Sequence, residues 1–285
     1  MQRPATEGSR TRNHPGGFAL LIVLWMLVLI AFIVGYVTST GRSEIQISTN
    51  ISANAAASAA ADGAVYRAIF ALMDPQPDHR PAIDGRIEEM RIGRSVVTLR
   101  IFNEDDWINP NLASAKLLEG LLRAINMPAE TAADLADEIT QWVGTARMLR
   151  SPDELAAEYK GAALDYAPPE APVESLEELT RVRGMTAAAF AAMRPHLTLF
   201  GGREPNPATI DSAVAAAIRF ADQSNSATGV NGPVFTGVGQ NARVVRILAL
   251  AQGPDHSKVD STAVVRITSS SVRGYSVLSW RSGSP

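Results

Sequence analysis

The stretch HPGGFALLIVLWMLVLIAFIVGYV, His14 to Val37, decides the architecture. No charged residue stands between His14 and Arg42, and Phe18–Val37 is nearly all apolar. Twenty residues at about 1.5 Å rise make about 30 Å, the hydrocarbon thickness of a bilayer. Arg3, Arg10 and Arg12 precede the run against a single acid, Glu7. By the positive-inside rule the N-terminus then stays cytoplasmic and the remainder is exported. A cleaved secretory signal fits poorly, because its apolar core is usually about 7–15 residues and ends at a small-x-small cut. This run is longer, and the residues after it continue in helical spacing. A plain, unprocessed signal anchor fits the length equally well.

Downstream, apolar positions recur at helical spacing from Glu44 to Met73: Ile47, Ile51, Ala55, Ala59, then Val65, Ile69 and Leu72. Asp74-Pro75 ends the pattern. The apolar run and this amphipathic half predict one helix of about 55 residues, roughly 80 Å long. That exceeds the interior of a globular domain and fits a stalk whose outer half packs on a sheet. RIEEMRIGRSVVTLRIFNE (Arg86–Glu104) predicts a hairpin turning at Gly93, with Val97, Leu99 and Ile101 alternating against polar neighbours.

A helical block follows. The spacing predicts helices over Ser114–Ile125, Ala129–Val143, Pro152–Tyr159, Ser175–Val182 and Ala187–Met193, then Thr209–Ala221. Ser114, Ser151 and Ser175 are candidate N-caps, and Glu178 stands at capping-box distance from Ser175. Asp222–Gln240 reads as a Gly/Ser/Asn-rich loop. ARVVRILALAQ, STAVVRITSS and YSVLSW close the chain as strands, the first two joined by the turn GPDHSK.

The chain has 285 residues, 46% apolar, a net charge of −3 and no cysteine. The missing cysteines exclude disulfides, thiolate metal sites and cysteine nucleophiles. Charge also bears on LEELTRVRGMTAAAF, which resembles a helix-hairpin-helix whose glycine turn offers backbone N–H groups to phosphate. Between Asn103 and Pro205 there are 17 Asp/Glu and 9 Lys/Arg, a net of −8, so phosphate binding lacks its cations and nucleic acid is not an expected partner. His14, His79, His196 and His256 are scattered, and no phosphate-binding glycine loop or HExxH occurs, so no enzyme is expected. The acids of NEDDWINPN (Glu104, Asp105, Asp106, with Asn109 and Asn111) gather oxygen ligands of the kind that suit calcium. The other reading is a solvated acidic loop with Asn111 capping a helix. Trp25 and Tyr36, near the ends of the apolar run, read as membrane-interface anchors.

The Gly17-Phe18 step gives the opening stretch a third reading. A basic leader, then glycine, then an aromatic residue and an apolar helix resembles a class III prepilin signal. The resemblance implies that prepilin peptidase cuts between Gly17 and Phe18 at the cytoplasmic face, and that the apolar helix is retained with a methylated N-terminus. Most pilins and pseudopilins carry glutamate as the fifth mature residue; here Ile22 stands there. A carboxylate in lipid is costly without a partner, and a subunit at a filament tip lacks the neighbour that would supply one. FNEDDWINPNLAS and ESLEELTRVRGMTAAAFAAMRPHLTLFG resemble, with the missing glutamate, the general secretion pathway protein K family, the minor pseudopilin at the tip of the type II secretion system. The acidic run this family commonly carries after its second insert helix is reduced here to DEITQWVGTARML, which keeps Trp142. A later motif survives only as EPNPATI, Glu204–Ile210.

The resemblance implies an α+β, pilin-like fold with an inserted all-α domain. Its expected parts are a leader (1–17), the transmembrane half of a helix (18–38), a stalk with the first strands (39–104), the helical insert (105–220) and closing strands (221–285). It implies a single-pass inner-membrane protein with a periplasmic C-terminal domain and calcium in the insert. Its implied partners are the other minor pseudopilins, the major pseudopilin, prepilin peptidase and, less directly, secreted proteins. A minor pilin of a type IV pilus or DNA-uptake machine, or a signal-anchored periplasmic binding protein, would share parts of this pattern.

Overall fold

In the computed structural model, residues 16–146, 150–227, 242–253, 257–268 and 274–283 are described; the side chains of 16–19, 37–47, 152, 225–227 and 242 fall outside that description. The first helix, α1, is Gly16–Leu72, 57 residues. It ends where the sequence predicts, just before Asp74-Pro75. The Gly17-Phe18 step lies within the helix.

Residues 56–285 form one compact unit. Five antiparallel strands follow the chain in sheet order: β1 (Glu88–Ile92), β2 (Ser95–Asn103), β3 (Ala242–Gln252), β4 (Lys258–Thr268) and β5 (Tyr275–Gly283). Ile92 pairs with Ser95 across a two-residue turn. Gly93 takes φ +57° there, a left-handed conformation that suits glycine at the first turn position. The polar–apolar alternation of β2 becomes a buried–exposed alternation, with Val97, Leu99 and Ile101 inward.

The last four turns of α1 pack on the inner face of this sheet. The buried positions are Ala57, Ala60, Ala61, Ala64, Val65, Ala68, Ile69 and Leu72, against Val245, Ile247, Ala249 and Ala251 of β3 and Val259, Ala263 and Val265 of β4. The predicted stripe through Ile51, Ala55 and Ala59 is wrong: all three are exposed, and Ile47 lies outside the described side chains. Alanine occupies most positions of this stretch, so it marks no face, and the true face is selected by what fits the sheet. Small side chains bring the helix backbone close to the strands, and Ser261 Oγ donates across the interface to Asp62 Oδ1 at 2.8 Å.

Between β2 and β3 in sequence lie α2 (Ala115–Ala124), α3 (Ala129–Trp142), α4 (Pro152–Gly161), α5 (Ala187–Met193) and α6 (Ser212–Ala227), around their own apolar cluster. Ser114, Ser151 and Ser175 cap as predicted, the last two with complete capping boxes. Two predictions are corrected. Leu176–Arg181 is a 3-10 helix, not an α-helix. The last helix starts at Ser212, where Asp211 Oδ1 accepts from the N–H groups of Ala213 and Val214, and runs unbroken past residue 220 to Ala227. Gly120 lets α2 approach α6; a Cβ there would stand 2.8 Å from the Ala217 carbonyl oxygen.

Replacing buried Ala64 with leucine is expected to overfill the helix–sheet interface and cost about 1–3 kcal/mol. Ala59→Leu, on the exposed side, is expected to leave the melting temperature unchanged. Equal losses from the two would refute this assignment of the α1 face.

Candidate functional site

Three places hold the residues singled out by the sequence. The first is the exposed apolar run of α1. Every large apolar side chain from Leu20 to Tyr36 is between 46 and 74% exposed, Ile22 at the lower limit. Burying one such side chain is worth about 1.5–3 kcal/mol, so the run as a whole demands a cover. Among the described residues no stretch is long and apolar enough to cross a membrane. Leu20–Tyr36 rises about 25 Å, a little under the hydrocarbon thickness, and its flanking side chains lie outside the description. The leader residues 1–15 lie outside it as well.

The second place is the turn after β2. Glu104, Asp105 and Asp106 form a 3-10 turn, opened by Asn103, whose side chain accepts from the Asp105 N–H. Glu104 is fully buried. Arg246 of β3 donates to it twice, Nε to Oε1 at 2.6 Å and Nη2 to Oε2 at 3.1 Å, and Thr198 Oγ1 donates to Oε2. The Arg246 guanidinium also lies 4.5 Å from the centre of the Trp107 ring. Asp105 Oδ1 accepts from Gly202 N at 2.8 Å. Asp106 Oδ1 accepts from Asn206 Nδ2 at 2.8 Å, and the Asp106 carbonyl accepts from Thr209 Oγ1 at 2.9 Å. Burial raises the Asp106 carboxyl above its usual range, against the lowering effect of the Asn206 bond.

These residues fit calcium poorly. The three carboxylates serve three different protein partners, and Glu104 already has a cation. Among the described residues no group of three His, Cys, Asp or Glu side chains converges. The neighbouring asparagines are latches too. Asn109 Nδ2 donates to the carbonyls of Leu199 and Gly201. Asn111 exchanges a pair of bonds with the backbone of Val173, so it does not cap a helix. Sequence inspection brings Glu104, Asp105 and Asp106 together but misses Arg246 and Thr198, which lie 142 and 94 residues away.

The third place is the hairpin around Gly184. Arg183 turns inward. Its guanidinium and that of Arg150 share Glu138 Oε1, each at 2.7 Å, and both also reach Glu158 Oε2, at 2.8 and 2.5 Å. Two arginines and two glutamates thus bind α3, α4 and the hairpin together. Burial works to raise the Glu138 carboxyl, but the bonds from Arg183 and Arg150 outweigh it and hold the group below its usual range. The hairpin's one flanking cation inside this network is therefore spent within the protein, not offered to a phosphate. Of the histidines, His196 Nδ1 lies 2.6 Å from Asp211 Oδ2, and His79 is 3.6 Å from Asp74; His14 and His256 lie outside the described residues.

Removing the Glu104 partner tests the second place. Arg246→Met is expected to cost about 3–5 kcal/mol, because it strands a buried charge. The double variant Glu104→Leu with Arg246→Met should recover part of that loss in the same urea or thermal melt. Adding a calcium chelator should leave the wild-type melting temperature in place; a clear drop would reinstate a metal at 104–106. For Glu138 the folded carboxyl ionises more easily than the unfolded one. Its contribution to stability is present above the ordinary carboxylate range and is lost as pH falls through the lower folded value. Glu138→Gln is expected to flatten the acid limb of the stability–pH curve.

A family model described as type II secretion system (T2SS), protein K, matches residues 96–202, from β2 through the acidic turn to Gly202. No curated protein matches the chain. A chain in the crystal structure of the GspK–GspI–GspJ complex from the enterotoxigenic Escherichia coli type 2 secretion system is similar in fold. The likeness has a TM-score of 0.50 at 14% identity, and it covers 86% of this chain and 99% of that one. The matched segment contains the turn, the Glu138–Arg183 network and both asparagine latches. Over that segment the chain is similar to protein K of the type II secretion system.

Proposed function

We propose that this protein is the minor pseudopilin that caps the tip of the type II secretion pseudopilus. The observation that carries the reading is the exposed apolar run Leu20–Tyr36 with Ile22, not glutamate, at the fifth position after Gly17. An uncovered apolar helix of this kind is covered either by lipid or by other helices, and a pseudopilin uses both in turn. Within the filament the fifth-position carboxylate answers the N-terminus of a neighbouring subunit. A subunit with no neighbour above it does without that charge.

In this reading prepilin peptidase cuts between Gly17 and Phe18, and the mature N-terminus is methylated. The helix anchors the chain in the inner membrane, N-terminus in the cytoplasm and residues from about 39 onward in the periplasm. The sheet with the end of α1 forms a pilin-like domain, and residues 105–220 form an all-α domain inserted between β2 and β3. The helical insert then blocks further subunits from adding above. The role is structural, not catalytic. The GspK–GspI–GspJ assembly supports other minor pseudopilins as the partners of this chain. The Glu104–Arg246 pair ties the insert to the sheet, and the Asn109 and Asn111 bonds hold the insert itself together.

Sequencing the N-terminus of the membrane-bound protein, expressed with prepilin peptidase, is expected to give Phe18. A start at Met1 under those conditions would sink the pseudopilin reading and leave an unprocessed anchor. The full chain is expected to co-purify with the other minor pseudopilins of its own secretion system.

A further inference from the structure

The two margins of the sheet differ. β1 is five residues long and carries Glu88, Glu89 and Arg91, the short and charged edge that resists pairing with foreign strands. β5, at the other margin, has nine residues, no proline and Arg281 as its one charge. Among the described residues it pairs only with β4. Alternate N–H and C=O groups of such a strand point away from its partner and stand ready for another strand.

A flank of α1 lies alongside this open margin. Ser58 Oγ is 3.5 Å from Ser282 Oγ, and the Tyr66 ring centre is 5.1 Å from that of Trp280. Tyr66 and Phe70, one turn apart, are 45 and 64% exposed, and Val277 of β5 is 44% exposed. Among the described residues, a strand edge with no second partner and an apolar, partly aromatic wall therefore run side by side. The charge on the two strands is net positive. On β4 and β5 the cations are Lys258, Arg266 and Arg281, and the one anion is Asp260. None of them takes part in an ion pair among the described residues. The nearby Asp62 is held by Ser261.

We propose that β5 receives an extended, acidic segment of another minor pseudopilin as an added strand. Its apolar side chains cover Tyr66, Phe70 and Val277, and its carboxylates meet Arg266 and Arg281. Strand addition takes affinity from main-chain hydrogen bonds and selectivity from alternate side chains. The arginines steer the encounter and reject basic partners. This docking site rests on the pseudopilin reading above, because that reading supplies the class of partner.

The chain has no cysteine, so a single introduced one labels a single position. Val277→Cys in the full chain, carrying a thiol-linked benzophenone, is co-expressed in membranes with the other minor pseudopilins of the same system and illuminated. Glu89→Cys on β1 is the control. The expected result is a cross-link from position 277 to an acidic, extended segment of one minor pseudopilin and none from position 89. Arg266→Glu with Arg281→Glu should lower the yield about tenfold or more, with the melting temperature unchanged. If the complex co-purifies but position 277 cross-links to nothing, to a helix or to a second copy of this chain, the docking site is overturned and the tip role stands. If no minor pseudopilin associates with the chain at all, the tip role falls and the docking site falls with it.

Discussion

The buried pair of Glu104 and Arg246 is the constraint on which the folded body depends. Glu104 sits at the point where the chain leaves β2 for the helices, and Arg246 sits on β3, where the chain has come back. Thr198, which follows α5 and precedes α6, donates to the same carboxylate. One side chain thus binds the exit of the excursion, a point within it and its return. A fully buried carboxylate is costly without partners, so the arrangement that supplies both is strongly favoured over any that supplies one. The asparagines reinforce it: Asn109 ties the start of the segment to Leu199 and Gly201, and Asn111 ties it to Val173. Much of the stretch FNEDDWINPN therefore serves as a clasp.

A second constraint acts where α1 meets the sheet. Five of the eight buried helix positions there are alanine. Alanine gains less from burial than leucine but allows close approach, and close approach suits a helix lying flat on a twisted sheet. At Leu20–Tyr36 the same helix carries large apolar side chains, which suit lipid tails or other helices. Side-chain size along a single helix separates a part packed on the sheet from an exposed apolar part.

Much of the fold was legible in the sequence. The end of α1 at Asp74-Pro75, the hairpin at Gly93, the serine caps and the strand ARVVRILALAQ all follow from local rules with short range. The errors fall where local rules are silent. The stripe through Ala55 and Ala59 failed because alanine has no marked preference between faces. LEELTR forms a 3-10 helix, opened by the Ser175 capping box and closed by the Val182 N–H on the Leu179 carbonyl, and apolar spacing over six residues does not separate it from an α-helical turn. The start of α6 moved from Thr209 to Ser212 because Thr209 is engaged by the Asp106 carbonyl and Asp211 does the capping. For the candidate site the sequence collected the right acids and suggested a cation for them, but the cation is an arginine on a distant strand.

The sequence by itself determined the apolar run, the Gly17-Phe18 step, the isoleucine at position 22 and the alternation of helices and strands. Each depends on composition, spacing or a motif within a few residues, where the physics is local. Tertiary structure alone decided which face of α1 is buried, which partners satisfy Glu104, Glu138 and Asn111, and which strands form the two margins of the sheet among the described residues. Those outcomes depend on contacts between residues tens to hundreds of positions apart. Such contacts form only after the chain has closed its loops, and the cost of stranding a buried polar group selects among them.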